Sequence, residues 1–278
     1  MALEKRAILV LEPNLTNVHA EQSRMPQIDF LKGLGAMILK QTVRQILGLG
    51  GSKKSLVDQF ARKSFSQSGE DLIVDYIFHW LGLSAIKYLD VGANHPISLS
   101  NTFYFYSKGC SGVLIEPDPN LYSDLVRIRE RDVCLNVGVG AESRLSAEYY
   151  EMSDKALSTF SRFEAQRYES YGRQRIEAVH NIPLVSLNDV VEKYFAASPN
   201  YVSIDVEGLD YEILRTFDFQ RFRPEVFCVE TLTYTEDRSE RKLNEIIELM
   251  QEQGYFVYSD TYLNSIFVEK QAWSKRRV

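Results

Sequence analysis

Cysteine is scarce in this chain: Cys110, Cys134 and Cys228 are the only three, and none stands in a C-x-x-C pair or at histidine-spaced intervals. That excludes a structural zinc site of the usual ligand spacing and a disulfide-stapled fold, and it fits a reduced, cytoplasmic setting. Positive charge is also short. The 32 Lys and Arg are outnumbered by 38 Asp and Glu, for a net charge of −6, the reverse of the basic surface that phosphate-backbone binding needs. Nucleic acid is therefore not expected as a partner. No apolar run reaches about 18 residues, so no membrane span is expected, and the amino terminus shows no basic-then-apolar leader with a small-residue cleavage site.

What is present is an alternation. From Ser64 onward, short apolar runs rich in β-formers (86–91, 112–117, 133–138, 201–206 and 225–230) are separated by helical patterns near 69–81, 99–107, 119–129, 209–217 and 239–253. Strand and helix in turn predict a parallel sheet with helices on both faces. The last two runs, 254–260 and 264–270, are too close for a parallel return and must form an antiparallel hairpin. Residues 139–199 are less regular, with a hairpin at 144–152, a polar helix near 161–178 and a helical run at 186–195, and read as an insertion. Residues 28–47 carry apolar side chains at helical spacing (Phe30, Leu34, Met37, Ile38, Val43, Ile46, Leu47) interrupted by Lys32, Lys40 and Arg44. This amphipathic helix would cover the domain or a second copy of the chain, and the same pattern also suits peripheral membrane contact. Residues 48–55, "GLGGSKKS", read as the linker that follows.

The chemistry-bearing residues stand at strand ends, where ligands of open α/β sheets bind. "YLDVGANHP" (88–96) ends a strand in Asp90 and turns through Gly92 and Asn94. Only the first glycine of a dinucleotide G-x-G-x-x-G is there, so a diphosphate cradle is not supported. A second strand ends in Glu116, placed to accept hydrogen bonds from two ribose hydroxyls. Together they indicate a nucleoside ligand without a diphosphate, such as S-adenosylmethionine. "YVSIDVEGLDYEIL" (201–214) ends a further strand in Asp205 and Glu207, which serve either as chemistry or as caps of the helix after them.

The ordered set "SFSQSGEDLIV" (64–74), "DVGANHPISLSNTFYFYSKGCSGVLIEPDPNLY" (90–122), "LNVGVG" (135–140), "ALSTFSR" (156–162) and "SIDVEGLDYEIL" (203–214) resembles the FkbM family of methyltransferases over residues 64–270. The resemblance implies an α/β class I methyltransferase fold, a Rossmann-like three-layer sandwich whose seven-stranded, mostly parallel sheet carries an antiparallel terminal strand. It divides the chain into an extension at 1–60 and a methyltransferase domain at 61–278, with the insertion near 139–199. It also implies O-methylation, with S-adenosylmethionine as methyl donor and, as small-molecule or glycan acceptor, a hydroxyl of a saccharide or of a glycosylated or secondary metabolite. Asp90, Gly92 and Asn94 would lie along the methionine part of the donor and Glu116 would hold the ribose. Gln67 and Glu70 would close the pocket, although "SGED" reads equally as a helix start.

An alcohol attacks poorly while protonated, so a general base or a metal is needed beside it. Asp205 is the expected base, with Glu207 beside it. His95 is a second candidate, or a turn residue capping backbone groups. Asp205, Glu207, Glu230 and His95 could instead hold a divalent cation. A Rossmann-type oxidoreductase and a catalytically silent cofactor-binding module are the alternatives, and a homo-oligomer is compatible with all of them.

Overall fold

The computed structural model describes residues 59–140, 144–206, 208–232 and 241–277. The helix expected over 28–47, its linker and Glu207 lie outside them. Residues 62–278 form one compact unit.

The strands β1 (Lys87–Val91), β2 (Ser111–Ile115), β3 (Val133–Leu135), β7 (Tyr201–Ile204) and β8 (Val226–Glu230) are parallel, and β9 (Tyr255–Asp260) and β10 (Asn264–Glu269) complete a seven-stranded sheet of order β3-β2-β1-β7-β8-β10-β9. β10 runs antiparallel to both neighbours. This is the seven-stranded class I arrangement with its reversed strand, as the spacing of the apolar runs required.

The strands alternate between two cores because successive side chains point to opposite faces. Leu89, Val91, Val113, Ile115, Val202, Ile204, Phe227 and Val229 pack on one face, with α5 (Leu187–Tyr194), α6 (Asp210–Leu214) and α7 (Asn244–Glu252) contributing to that cluster. Tyr88, Leu114, Tyr201, Val226, Cys228 and Ile266 pack on the other, with residues of α1 (Glu70–Leu81), α2 (Phe103–Ser107) and α3 (Pro119–Ile128). Burial on both faces is why these strands read as continuous apolar runs.

The insertion is built differently from its sequence expectation. The polar helix foreseen near 161–178 stops early as α4 (Arg162–Ser170), and 176–186 is a strand, β6 (Ile176–Ser186). The run 144–152 is a single strand, β5 (Arg144–Met152), which pairs with β6, and β6 pairs in turn with the short β4 (Gly138–Gly140). β6 shows no continuous apolar run, because Glu177, Val179, Asn181 and Pro183 lie on an exposed face of this small sheet. Tyr150, Met152, Leu157, Ala165 and Tyr168 make a separate core beneath α4. Among the described residues, no helix is long and apolar enough to cross a membrane.

Candidate functional site

β1 and β7 are adjacent, with Asp90 opposite Ser203, so their ends deliver Asp90 and Asp205 to one crevice. The backbone ties are tight: Asp205 N–H donates to Val91 O at 3.0 Å. The turn after β1 then presses against the end of β7. Gly92 has φ 80, and a Cβ built on it would be driven into the carbonyl oxygen of Asp205. Only a residue without a side chain fits both conditions.

The same turn is held from the other side by Glu116. Gly92 and Ala93 each donate to Ile115 O at 3.0 Å. Asn94, with φ 49, donates its N–H to Glu116 Oε2 at 2.7 Å, and Asp118 N–H donates to Oε1 at 2.8 Å. Each carboxylate oxygen has a further lone pair free of these bonds. Burial pushes Glu116 up to about 7, against the opposing pull of the Asp118 and Asn94 amides. Burial likewise raises Asp90 to about 6, although Thr102 Oγ1 donates to its Oδ2 at 2.6 Å. Next to Glu116, Asp118 is fully buried; its Oδ1 caps α3 while its Oδ2 has no hydrogen-bond partner among the described residues.

These groups surround a cleft of about 300 Å³ at the carboxyl end of the sheet. Gln67, Asp90, Gly92, Asn94, Glu116, Asp205 and Glu230 all line it, and the small sheet closes it with Tyr149, Phe160 and the single 3₁₀ turn Lys155–Leu157. The carboxylate of Asp205 engages no hydrogen bond or ion pair among the described residues. Burial raises its pKa, and the neighbouring Asp210 raises it further.

Two candidates fall elsewhere. Glu70 is fully buried, and its carboxylate is occupied by Ser68 N–H at 2.8 Å, Thr261 Oγ1 at 2.7 Å and Asn264 Nδ2 at 3.1 Å. Burial works to raise its pKa, but these bonds prevail and lower it. Glu70 thus fastens α1 to the β9–β10 hairpin rather than lining the cleft. His95 is exposed, and its Nδ1 accepts the N–H of Ile97 at 3.1 Å and of Ser98 at 2.9 Å. These two bonds cap the turn through Nδ1. Among the described residues, no group of three or more His, Cys, Asp or Glu is gathered as metal ligands would be.

The support beneath the first turn was not foreseen. Arg129 is 1 % exposed; it pairs with Asp132 at 2.8 Å, donates to Pro96 O and Thr102 Oγ1 at 3.1 Å, and reaches Tyr88 Oη at 3.2 Å. Asp132 also accepts from Tyr88 Oη at 2.7 Å and from Gly112 N–H at 2.8 Å. Through Thr102, this buried cation orients the carboxylate of Asp90. In sequence, "RIRERD" reads as a solvated helix end, and nothing in it marks the second arginine as buried.

The residues present fit S-adenosylmethionine: a side-chain-free turn, a buried strand-end carboxylate with accepting capacity left, and an orphaned carboxylate oxygen beside it. The family profile described as the methyltransferase FkbM domain matches residues 90–257, which contain every one of these features. Among curated proteins, none matches the chain's sequence. Solved structures resemble it at low identity. Precorrin-6y C5,15-methyltransferase from Geobacter metallireducens shares 13% identity over 75% of this chain and 93% of its own, with a TM-score of 0.37. A TehB-like S-adenosylmethionine-dependent methyltransferase from Corynebacterium glutamicum shares 9% over 86% and 100%, at 0.38. 1,6-Didemethyltoxoflavin-N1-methyltransferase from Burkholderia thailandensis, with bound S-adenosylhomocysteine, shares 9% over 90% and 91%, at 0.36.

Proposed function

The chain belongs to the FkbM methyltransferase family, and on that premise we propose that it methylates a hydroxyl oxygen of a saccharide or glycosylated secondary metabolite. S-adenosylmethionine supplies an electrophilic methyl group when bound. The reading rests on one observation above others: Asp205 lines the cleft beside the Gly92 turn, and its carboxylate, whose pKa is raised, has no hydrogen-bond or ion-pair partner among the described residues.

In this reading Asp205 takes the proton from the acceptor hydroxyl as the oxygen attacks. A raised pKa suits that work, because a base is most effective when its pKa lies near the working pH. Asp90, Gly92, Asn94 and Glu116 hold the donor, Glu116 through the lone pairs its two backbone bonds leave free. Tyr149 and Phe160, with ring centroids 5.0 Å apart, wall the acceptor side with aromatic faces that suit a sugar ring. Glu207 stays a proposed companion of Asp205. We assign residues 1–60 to an extension and 61–278 to the catalytic domain, acting in the cytoplasm.

The test is transfer from S-adenosylmethionine to a panel of glycosides, hydroxylated polyketides and amines, read by mass spectrometry as the gain of one methylene. Transfer to hydroxyl oxygen, lost in Asp205→Asn, supports the proposal. Transfer confined to nitrogen or carbon acceptors overturns it.

A further inference from the structure

Away from the cleft, where α1 ends and the chain's last helix α8 (Lys270–Ser274) begins to trail off, four aromatic side chains gather. Tyr76 and Trp80 meet at 6.1 Å and Tyr258 and Trp273 at 5.3 Å. The two pairs are joined by the backbone, since Arg277 N–H donates to Trp80 O at 2.9 Å. Gly82 has φ 72, and the Arg277 guanidinium occupies the space where a Cβ would stand. Tyr76 is 49% exposed, and both tryptophans are half-buried.

Three consecutive cations, Lys275, Arg276 and Arg277, cover this corner and are exposed. Arg276 lies over the Trp273 ring at 4.8 Å and donates to Trp273 O at 3.0 Å, while Arg277 reaches Gly82 O at 3.5 Å. None of the three has a carboxylate partner among the described residues. Arg127, Arg215 and Arg221, by contrast, are each paired with an acid. In a chain of net charge −6, unpaired cations concentrated on aromatic side chains are an uneven placement of charge. Beside them a hollow of about 490 Å³ shares Tyr76 and His79 and carries Arg62 and Lys108, both of which face Asp75.

We propose that this corner docks on an anionic phospholipid surface. Trp and Tyr settle at the boundary of headgroup and acyl chain, where one end of the ring is apolar and the other wet. Arg and Lys beside them meet the lipid phosphates, each contributing through the negative surface potential. A nucleic acid would need cations following a phosphate track over many contacts, whereas this corner offers a short basic run over rings. The last described residues and the end of α1 lie at the amino-terminal edge of the sheet, because α1 leads into β1 through Leu83 and Ser84. The cleft stands at the opposite, carboxyl edge, so docking leaves it uncovered.

The chain contains only two tryptophans, and both belong to this corner, so its own fluorescence reports the contact. The full chain is titrated with phosphatidylcholine vesicles containing phosphatidylserine and with phosphatidylcholine alone, by sedimentation and by tryptophan emission. The expected result is co-sedimentation with the anionic vesicles only, a blue shift of emission, and a partition about 30-fold weaker for Arg276→Gln/Arg277→Gln. Absence of co-sedimentation overturns the proposal. So does sedimentation with unshifted emission, sedimentation unchanged in the double variant, which would place the contact in another segment, or full displacement onto RNA offered at equal charge.

Discussion

Gly92 and the carbonyl of Asp205 occupy a space that admits no side-chain atom between them. The turn that follows the first strand and the end of the fourth parallel strand are therefore one surface, and the groups on them hold a fixed spacing. A Gly92→Ala variant meets both a left-handed backbone cost of about 1–2 kcal/mol and the Asp205 oxygen. The expected outcome is a lower melting temperature and at least about a tenfold loss of S-adenosylhomocysteine affinity by calorimetry. Unchanged affinity would show that the turn moves freely from the strand end.

Asp205 titrates above the ordinary carboxylate range because it is buried and sits beside Asp210. As a base it works only when ionised, so the rate of methyl transfer is expected to rise with pH through that raised pKa. Asp205→Asn should lower kcat by about 10²–10⁴-fold and remove the rising limb. A variant that keeps the limb would assign the proton transfer to another group.

Glu116 and Asp90 make stability depend on pH in the ligand-free protein. Both have folded pKa values raised by burial, to about 7 and about 6. Their contribution to stability is therefore complete below their ordinary values near 4 and is lost as pH rises through 6 to 7. The melting temperature is expected to fall between about pH 4 and pH 7, with a shallower fall in Glu116→Gln. Glu70 acts in the opposite sense: its lowered pKa gives stability that is present above 4.5 and lost as pH falls through the folded value.

Arg129 and Asp132 are a buried ion pair, 1% and 0% exposed at their side chains. Removing the cation alone leaves Asp132 buried and unpaired, a cost of about 3–5 kcal/mol. In a domain of this size that corresponds to a drop of about 10 °C in melting temperature for Arg129→Met. Calorimetric scans of the single variants and of Arg129→Met/Asp132→Asn check it, and the double variant should recover part of the loss. A loss in the double variant equal to the sum of the two single losses would mean that the pair is not coupled.

The sheet was legible because its strands are buried on both faces, so "YVSIDV" and "EVFCVE" stand out as apolar runs whatever surrounds them. The cleft-lining set Asp90, Gly92, Asn94, Glu116 and Asp205 was legible because each stands at or just past a strand end. The β6 strand was not, because half of its side chains face solvent and Pro183 interrupts it, so it shows no continuous apolar run. Arg129 was invisible for a different reason. Its burial is decided by Tyr88, Pro96, Thr102 and Asp132, residues scattered over forty positions, and no local pattern records that they converge. Glu70 read two ways, and its partners Thr261 and Asn264 come from the far end of the chain.

The Arg129 cluster also bears on how the first turn can be handled in protein engineering. "DVGANHP" looks like a portable segment, yet its Pro96 carbonyl and the Thr102 that holds Asp90 both hang on a guanidinium contributed some thirty residues downstream. Grafting the segment into another scaffold without an Arg129 and an Asp132 would transplant the letters and leave the conformation behind.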